Sequence, residues 1–310
     1  MSRDRIQLVV LDYLELPDNA WQRLRNLTAV MTYDTVPQTE AEILARLKDA
    51  DGVVVTSVTT LNAAVLSQSP RLRCIIVPGV GMDHIDLAVA HAQGIAVINC
   101  PTYNANAVAE FTIGLMFAIA RHLPLAHQTL QKGRWQPQKL QGIELSNQHL
   151  VIIGAGTIGQ AVAQKATALG MQVSTLNSKT SPETLDSQIA AADFLSLHLP
   201  LTQATHHLIN ARRLALMKPT AYLINTARGG IVDSAALLAA LKTQQIAGAA
   251  LDVFEDEPST EQSNDMILAL AKQNNVITTP HIAYNTHAAI RRLGQELIKK
   301  LEIWLKESQG

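Results

Sequence analysis

The sequence predicts two doubly wound α/β domains, each built on a parallel sheet. The chain has 310 residues, enough for two domains because single cores tend to stop growing near ~250–300 residues. Short runs rich in Val, Ile and Leu alternate with helical patterns in both halves, which is typical of parallel sheets covered by helices on both faces. A glycine-rich loop, Gly154 to Gly159, stands between an apolar strand and a helix. This order is the one that opens a doubly wound nucleotide-binding unit.

The first hundred residues contain predicted strands with helical patterns between them. Each strand is short and almost continuously apolar, which predicts burial on both faces of the sheet. The predicted strands are Ile6–Leu11, Ala29–Tyr33, Gly52–Thr56, Leu72–Val77 and Ala96–Asn99, and the helices are Ala20–Leu27, Glu40–Lys48, Ala63–Ser67 and Leu87–Gln93.

The second half repeats this alternation after a long connecting segment. Asn106–Arg121 is apolar without a clear polar face, which predicts a buried helix at a domain junction or a subunit interface. Gln136–Ser146 contains a proline and a glycine and predicts a loop or hairpin. Thr286–Leu305 predicts a last long helix, which could return to the first domain. The predicted strands are His149–Ile153, Met171–Leu176, Phe194–Leu197, Ala221–Asn225, Ile246–Leu251 and Val276–Thr278, and the helix after the glycine loop is Thr157–Leu169.

Composition excludes several classes of protein. With 47% apolar and 16% charged residues the chain is expected to be globular and soluble, and a net charge of −1 gives no field that favours nucleic acid or an anionic membrane. No apolar run approaches the ~20 residues of a membrane helix, and the first residues lack the pattern of a signal peptide. Cys74 and Cys100 form neither a metal motif nor a disulfide framework, so we expect a cytoplasmic protein.

The glycine loop predicts a dinucleotide site. Its sequence is Gly154-Ala155-Gly156-Thr157-Ile158-Gly159, and its glycines suit a tight turn, close approach of the pyrophosphate, and close helix–strand packing. The start of the following helix would face the phosphates with unpaired N–H groups. A glycine-rich turn of a flavin or nucleotide-sugar protein is the alternative. Asn177 stands where a dinucleotide site normally has an acid, which bears on the choice of nicotinamide cofactor.

Polar residues follow three later strands at the edge where open parallel sheets bind ligands. Arg228 lies in Asn-Thr-Ala-Arg-Gly-Gly, Glu257 follows Asp252 in Asp-Val-Phe-Glu-Asp-Glu-Pro, and His281 follows Thr-Thr-Pro. Arg can hold a carboxylate through its planar fork, His can transfer a proton near neutral pH, and a carboxylate beside His favours its charged form. This set suits hydride exchange with a 2-oxo acid. The alternatives are a surface arginine, a solvated acidic turn, and a structural histidine.

These motifs together resemble the D-2-hydroxyacid dehydrogenase family over nearly the whole chain. The resemblance implies a flavodoxin-like catalytic, substrate-binding domain of residues 1–99 plus 286–310, and a Rossmann cofactor domain of residues 100–285, with a cleft between them. The motifs are Gly79-Val-Gly81-Met-Asp83-His-Ile-Asp86, Val108-Ala-Glu110, the glycine loop, His198-Leu-Pro-Leu-Thr202, Asn225-Thr-Ala-Arg228-Gly229, Asp252-Val-Phe-Glu-Asp-Glu257-Pro258 and Pro280-His281-Ile-Ala.

The resemblance also implies residue roles. Arg228 would bind substrate, His281 would transfer the proton, and Glu257 would complete a His–Glu pair. Backbone amides of Val80 and Gly81 would receive the substrate carboxylate. The expected cofactor-binding residues are Gly154, Gly156, Thr157, Ile158, Gly159, Asn177, Ser178, Lys179, Pro200, Thr226, Ala227 and Asp252, with Asp252 facing the nicotinamide carboxamide.

The cofactor is expected to be NAD(P)(H), with NADP(H) modestly favoured. Asn177 removes the carboxylate that would repel a 2′-phosphate, Ser178 can donate a hydrogen bond, and Lys179 is nearby and positive. A solvated turn that accepts both cofactors is the alternative. No metal is expected, and His206-His207 lacks ligand spacing along the chain.

Substrate identity rests on two shorter segments. The run from Tyr33 to Ile43 resembles glycerate dehydrogenases and hydroxypyruvate or glyoxylate reductases, whereas Pro280-His-Ile-Ala-Tyr284-Asn-Thr286 resembles D-lactate dehydrogenases. We expect reduction of hydroxypyruvate or glyoxylate, with pyruvate, longer 2-oxo acids, or a non-catalytic NAD(H)-sensing corepressor as alternatives. We also expect a homodimer, without nucleic-acid or membrane partners.

Overall fold

The computed structural model describes residues 5–258 and 262–308. The chain divides into two compact units. The first contains the described residues up to Asn104 together with those from Asn285 onward, and the second contains Ala105–Tyr284.

The first unit is a five-stranded parallel sheet with the order β2-β1-β3-β4-β5. This order is that of flavodoxin-like doubly wound folds. The three central strands are largely buried, as their composition predicts, but the prediction of burial on both faces is wrong for the edge strand Ala29–Thr32, where Met31 is 54% exposed. The strands are β1 (Gln7–Val10), β2 (Ala29–Thr32), β3 (Gly52–Val54), β4 (Cys74–Val77) and β5 (Ala96–Asn99), and the helices are α1 (Asp18–Leu27), α2 (Glu40–Leu47), α3 (Ala63–Ser67), α4 (Leu87–Ala92) and α12 (His287–Glu307).

The last helix, α12, packs on α1 within the first unit. A side chain at Gly294 would meet the Cβ atom of Ala20 at 2.9 Å, so the glycine permits the two helices to lie close together. Arg23 pairs with Glu302 across this contact, and Lys300 Nζ donates to the carbonyl oxygen of Asn99 at the end of β5. The last helix is therefore part of the first compact unit.

The second unit is built on a six-stranded parallel sheet. The strands are β6 (His149–Ile153), β7 (Gln172–Leu176), β8 (Phe194–Leu197), β9 (Tyr222–Asn225), β10 (Gly248–Leu251) and β11 (Val276–Thr278). The helices are α5 (Ala105–Ala120), α6 (Leu123–Gln131), α7 (Thr157–Ala168), α8 (Pro182–Ala191), α9 (Ala211–Leu214), α10 (Ser234–Lys242) and α11 (Asp265–Ala271). The strand order is β11-β10-β9-β8-β6-β7. Alternate residues of β6 face opposite helical layers: Leu150 and Ile152 pack towards α5 and α7, whereas Val151 and Ile153 pack towards α8 and α10.

The apolar helix α5 is only partly buried. Residues such as Met116 and Ala109 are fully covered, but Phe117 is exposed on the opposite side. His122 adopts a left-handed conformation, with φ of 51°, and the chain turns there into α6, which the sequence analysis did not identify. The segment Gln136–Ser146 forms a loop with one short 3-10 turn, Pro137–Lys139.

Among the described residues, no single helix has the length and hydropathy needed to cross a membrane. The bent pair α5 and α6, with an angle of 57° between them, passes that criterion only when the two helices are taken together and only by length and composition.

Candidate active site

The candidate site lies at the carboxyl edge of the six-stranded sheet. Because all neighbouring strands are parallel, the loops that follow them emerge at the same edge. The chain passes from β6 to β7 on one side and then returns to β8 on the other, so the strand order reverses beside β6. Ligands bind at such a switch point in open α/β sheets. Only β7 lies beyond β6, because the segment between β7 and β8 contains a helix and no further strand.

The glycine loop lies directly at this switch point. Gly154 has φ of +106°, and a Cβ atom there would collide with the carbonyl group of His198. A Cβ atom on Gly159 would collide with the carbonyl oxygen of Gly154, whereas one on Gly156 would meet open space. The first and third glycines are thus required by packing, and the second leaves the backbone accessible at the start of α7. Thr157 and Ile158 lie in the first turn of that helix, where the backbone N–H groups have no hydrogen-bond acceptor within the helix.

His198 lies beneath the glycine loop and is held neutral. Its Nε2 atom lies 2.8 Å from the hydroxyl of Ser196, and its Nδ1 atom is covered by protein and has no hydrogen-bond partner among the described residues. Burial lowers the pKa of His198 from 6.5 to about 4. The charged form of this imidazole is therefore excluded from the folded protein at neutral pH.

We expect His198 to make the folded protein sensitive to acid. Above pH 6.5 the imidazole is neutral in both the folded and the unfolded state. Below pH 6.5 the unfolded chain binds a proton at this residue, whereas His198 in the folded chain stays neutral until about pH 4. The free energy of unfolding should therefore fall by about 2 kcal/mol between pH ~7.5 and pH ~5 from this residue alone. The free energy of unfolding is measured by urea titration at both pH values in the parent and in His198→Gln, and its decrease should be about 2 kcal/mol larger in the parent. An equal decrease in the two proteins would contradict this expectation.

The turn after β7 contains the three residues expected near the cofactor ribose. Asn177 Oδ1 accepts a hydrogen bond from the backbone N–H of Lys179 at 2.9 Å, and the backbone N–H of Asn177 donates to Thr180 Oγ1 at 3.1 Å. Asn177, Ser178 and Lys179 are exposed. The oxygen of the Asn177 side chain is thus engaged within the turn, and its NH₂ group, which donates only, is the part left for a ligand.

The Arg228 turn after β9 is closed by the buried side chain of Asn225. Asn225 Nδ2 donates to the carbonyl oxygen of Arg228 at 2.9 Å, and Asn225 Oδ1 accepts from the N–H of Ala227 at 3.0 Å. Arg228 Nη1 donates to the carbonyl oxygen of Ala227, and its side chain is half-buried. This role of Asn225 is not predictable from the sequence, because its two hydrogen bonds depend on how the chain turns after the strand.

The Arg228 turn also lies against the loop that follows β10. A Cβ atom on Gly229 would collide with the backbone of Phe254 and Glu255, so only glycine permits this approach. The structure therefore brings the turn that carries Arg228 into contact with the loop that carries Glu257.

Asp252, at the end of β10, orders the loop that carries His281. The Asp252 carboxylate is completely buried and accepts hydrogen bonds from Thr279 Oγ1 and from the backbone N–H groups of Ile282 and Ala283. The N–H of His281 donates to the carbonyl oxygen of Asp252 at 2.8 Å. His281 has φ of 52°, which costs an L-residue roughly 1–2 kcal/mol, and these flanking bonds hold it there. The expected contact of Asp252 with the nicotinamide remains a prediction.

Glu257 and His281 form a hydrogen-bonded pair. His281 Nδ1 lies 2.7 Å from Glu257 Oε2, and each side chain remains about one-third exposed, at 33% and 35%. The other carboxylate oxygen of Glu257 accepts from the N–H of Phe254 at 3.1 Å, which fixes the carboxylate. Of the three acids in this turn it is Glu257, and not Glu255 or Asp256, that contacts His281. Because Nδ1 faces the carboxylate, Nε2 is the ring nitrogen available to a ligand.

The other predicted site residues fall into two groups. Thr226 is buried and its hydroxyl lies 3.0 Å from that of Thr112 on α5, and the carbonyl oxygen of Pro200 accepts from Thr205 Oγ1. Val80 and Gly81 belong to the first unit, where the carbonyl oxygen of Val80 accepts from Asn99 Nδ2 at 2.8 Å. Their role with the substrate carboxylate remains a prediction from the resemblance.

The switch-point glycine loop and the His–Glu pair at the same sheet edge define a dinucleotide-dependent oxidoreductase. The model of the family "D-isomer specific 2-hydroxyacid dehydrogenase, NAD binding domain" matches residues 113–283. The chain belongs to the D-2-hydroxyacid dehydrogenase family. It is an NAD(P)-dependent enzyme.

Relatives of known sequence and structure agree with this membership. The chain is 40% identical over 268 residues to a hydroxypyruvate reductase of Thermotoga maritima, covering 84% of this chain and 86% of that one. Its structure is similar to D-lactate dehydrogenase from Aquifex aeolicus complexed with NAD and lactic acid, with a TM-score of 0.85, 33% identity and coverage of 97% and 96%. It is also similar to an NADPH-dependent glyoxylate/hydroxypyruvate reductase from Sinorhizobium meliloti in complex with NADP and malonate, with a TM-score of 0.83, 29% identity and coverage of 97% and 94%. The chain spans about half the length of the D-3-phosphoglycerate dehydrogenases that it matches.

Proposed function

We propose that this chain reduces hydroxypyruvate or glyoxylate to the corresponding D-2-hydroxy acid or glycolate with NAD(P)H. The observation that carries the chemistry is the pair of His281 Nδ1 and Glu257 Oε2 at 2.7 Å, next to the turn of Arg228. The names of the Thermotoga maritima and Sinorhizobium meliloti relatives favour these substrates.

In the proposed mechanism each side chain has a distinct task. The Arg228 guanidinium binds the carboxylate and carbonyl oxygens of the substrate and orients the carbonyl group. When bound, NAD(P)H supplies hydride to the carbonyl carbon. The carbonyl oxygen takes its proton from Nε2 of protonated His281, while Glu257 holds Nδ1 and stabilises the imidazolium. The product is the 2-hydroxy acid, and the reverse reaction uses neutral His281 as the base.

A substrate panel tests this proposal. Initial rates of NADH and NADPH oxidation are measured with glyoxylate, hydroxypyruvate, pyruvate and a branched 2-oxo acid. We expect the highest catalytic efficiency with glyoxylate or hydroxypyruvate. A preference for pyruvate would instead favour a D-lactate-type enzyme, for which the His281–Tyr284 contact, edge-on at 6.1 Å between ring centroids, offers an aromatic neighbour to the site. Absence of turnover with all four acids would overturn the proposal.

We infer a modest preference for NADPH, which the geometry of the Asn177 turn supports. An acid at this position would accept hydrogen bonds from both ribose hydroxyls and repel a 2′-phosphate. Here the Asn177 oxygen already accepts from the Lys179 N–H, so the free NH₂ group donates, as a phosphate requires. The Lys179 ammonium adds a positive charge, but no arginine fork is present in the Asn177–Thr180 turn. The preference should therefore be about tenfold, or about 1.4 kcal/mol.

Substitutions in this turn should change the cofactor preference. Asn177→Asp places a negative charge where the 2′-phosphate would lie, so the efficiency ratio of NADPH to NADH should fall by at least about tenfold. Lys179→Ala should lower the catalytic efficiency with NADPH but not with NADH. Catalytic efficiencies with both cofactors are compared in the parent and the two variants, with Lys132→Ala, an exposed lysine after α6, as the control. A parent enzyme that prefers NADH by tenfold or more would contradict the expected preference.

A homodimer is proposed through the face formed by α6 and its neighbouring residues. Large apolar side chains are exposed there: Leu123 by 53%, Leu130 by 56% and Trp135 by 82%, with Phe117 on α5 at 38%. Apolar side chains grouped in this way mark association surfaces. Light scattering should give twice the mass of one chain, and Leu130→Glu combined with Trp135→Glu should give one chain. Ile303→Glu, an equally exposed apolar side chain on α12, should leave the mass unchanged.

A further inference from the structure

Two histidines and one glutamate form a cluster that the proposed reaction does not use. The cluster consists of His206 and His207, in the loop after β8, and Glu255, in the loop after β10. His207 Nε2 lies 2.7 Å from Glu255 Oε1, and His206 Nε2 lies 3.8 Å from the same oxygen. The two imidazole rings are stacked with centroids 3.9 Å apart, and the three potential ligand atoms all lie within 4.8 Å of one another.

Backbone contacts bring the two loops together without help from these side chains. The N–H of His207 donates to the carbonyl oxygen of Gly230 at 2.9 Å, which ties the histidine loop to the turn that follows Arg228. Gly229 in that turn packs against the backbone of Phe254 and Glu255, where a Cβ atom would not fit. The His207 and Glu255 side chains are therefore delivered to the same place by the fold, which lowers the entropy that a ligand must offset on binding.

We propose that His206, His207 and Glu255 bind one divalent transition-metal ion, with zinc as the representative. Two imidazoles and one carboxylate are a donor set that suits zinc and related borderline ions and not magnesium or calcium, which take oxygen ligands. Bonds of about 2.0–2.1 Å in a tetrahedral site separate neighbouring ligand atoms by about 3.3 Å. The present separations of 2.7 and 3.8 Å from Glu255 Oε1 to the two Nε2 atoms lie on either side of this value. To complete the site, the two stacked rings must turn out of their nearly parallel arrangement so that both Nε2 atoms point to one ion.

The exposure of the cluster suits an exchangeable ion. The side chains of His206, His207 and Glu255 are 54%, 34% and 29% exposed, so water can occupy the fourth position and the ion can enter from solvent. The cluster shares no residue with the pair of His281 and Glu257, because Glu255 contacts His207 and Glu257 contacts His281. The ion would cross-link the loops after β8 and β10 and thereby stabilise the folded protein.

Isothermal titration with zinc tests the site in the full chain. We expect the parent to bind one zinc ion per chain. The affinity for zinc should be weaker by about tenfold or more in His206→Ala and in Glu255→Gln, because substitutions of residues that only support metal ligands already reduce metal affinity by that factor. His91→Ala, which removes an exposed histidine from α4, is the matched control and should bind as the parent does. His281→Ala distinguishes the proposed site from the proposed catalytic pair and should also retain zinc binding.

Thermal unfolding gives a second measurement. Zinc should raise the melting temperature of the parent and of His91→Ala but not of His206→Ala, whose exposed side chain can be removed without disturbing the core. The proposal would be overturned if His206→Ala and Glu255→Gln bound zinc as tightly as the parent. Loss of binding in His281→Ala, or no binding by the parent, would overturn it as well.

Discussion

Replacing His281 with alanine should lower the turnover of 2-oxo acid reduction by about 10²–10⁴-fold, the usual range for loss of a general acid. The imidazole is the group whose Nε2 faces away from Glu257 and can protonate the substrate oxygen. The loop itself should persist, because Asp252 holds the neighbouring Ile282 and Ala283 through their backbone N–H groups. Cofactor affinity, measured by fluorescence titration with NADPH, should therefore change little. Activity close to that of the parent would remove His281 from the mechanism.

The partner of His281 can be tested through the turnover number. Glu257→Gln keeps the size of the side chain but removes the negative charge from the group that contacts His281 Nδ1. A hydrogen bond to a charged group contributes about 1.5–3 kcal/mol, so the turnover of 2-oxo acid reduction should fall by about tenfold or more while NADPH affinity changes little. Asp256→Asn is the matched control, because it removes an exposed acid from the same turn and asparagine tolerates the left-handed backbone, with φ of 54°, at this position. A turnover number in Glu257→Gln equal to that of the parent would exclude Glu257 from this role.

The sheets were predictable because their strands are short, apolar and separated by helical patterns. Every predicted strand is present, with ends that differ by at most two residues, and the continuous apolar character of β4 and β10 agrees with their complete burial. The helix α6 was not predicted. It begins at a left-handed His122 and buries none of its residues, so the sequence offers neither a capping side chain nor a strong apolar face to find it.

Only those site residues that lie within a short, recognisable motif were predictable from the sequence. The glycine loop and the His281 and Glu257 positions are contained in short segments with a known chemistry. The tasks of Asn225 and Asp252 are different, because each side chain acts on a loop through hydrogen bonds set by the three-dimensional turn. His207 and Glu255 are 48 residues apart in the chain. The spacing of potential ligands along the sequence therefore did not indicate the cluster of His206, His207 and Glu255.

Replacing Arg228 with lysine should lower kcat/KM for 2-oxo acids by about 10–100-fold, through a higher KM and a lower kcat together. Lysine keeps the charge but has no planar fork, so a bidentate, charge-assisted contact worth roughly 1.5–3 kcal/mol is lost in both the bound substrate and the transition state. Asn225 closes the turn through the backbone of Ala227 and Arg228, and this support does not depend on the arginine side chain. The dissociation constant of NADPH should accordingly stay near the parent value. Arg212→Lys, in an exposed ion pair with Asp186, controls for the substitution itself and should leave the kinetics unchanged. A large loss of NADPH binding with intact substrate constants would place Arg228 at the cofactor and not at the substrate.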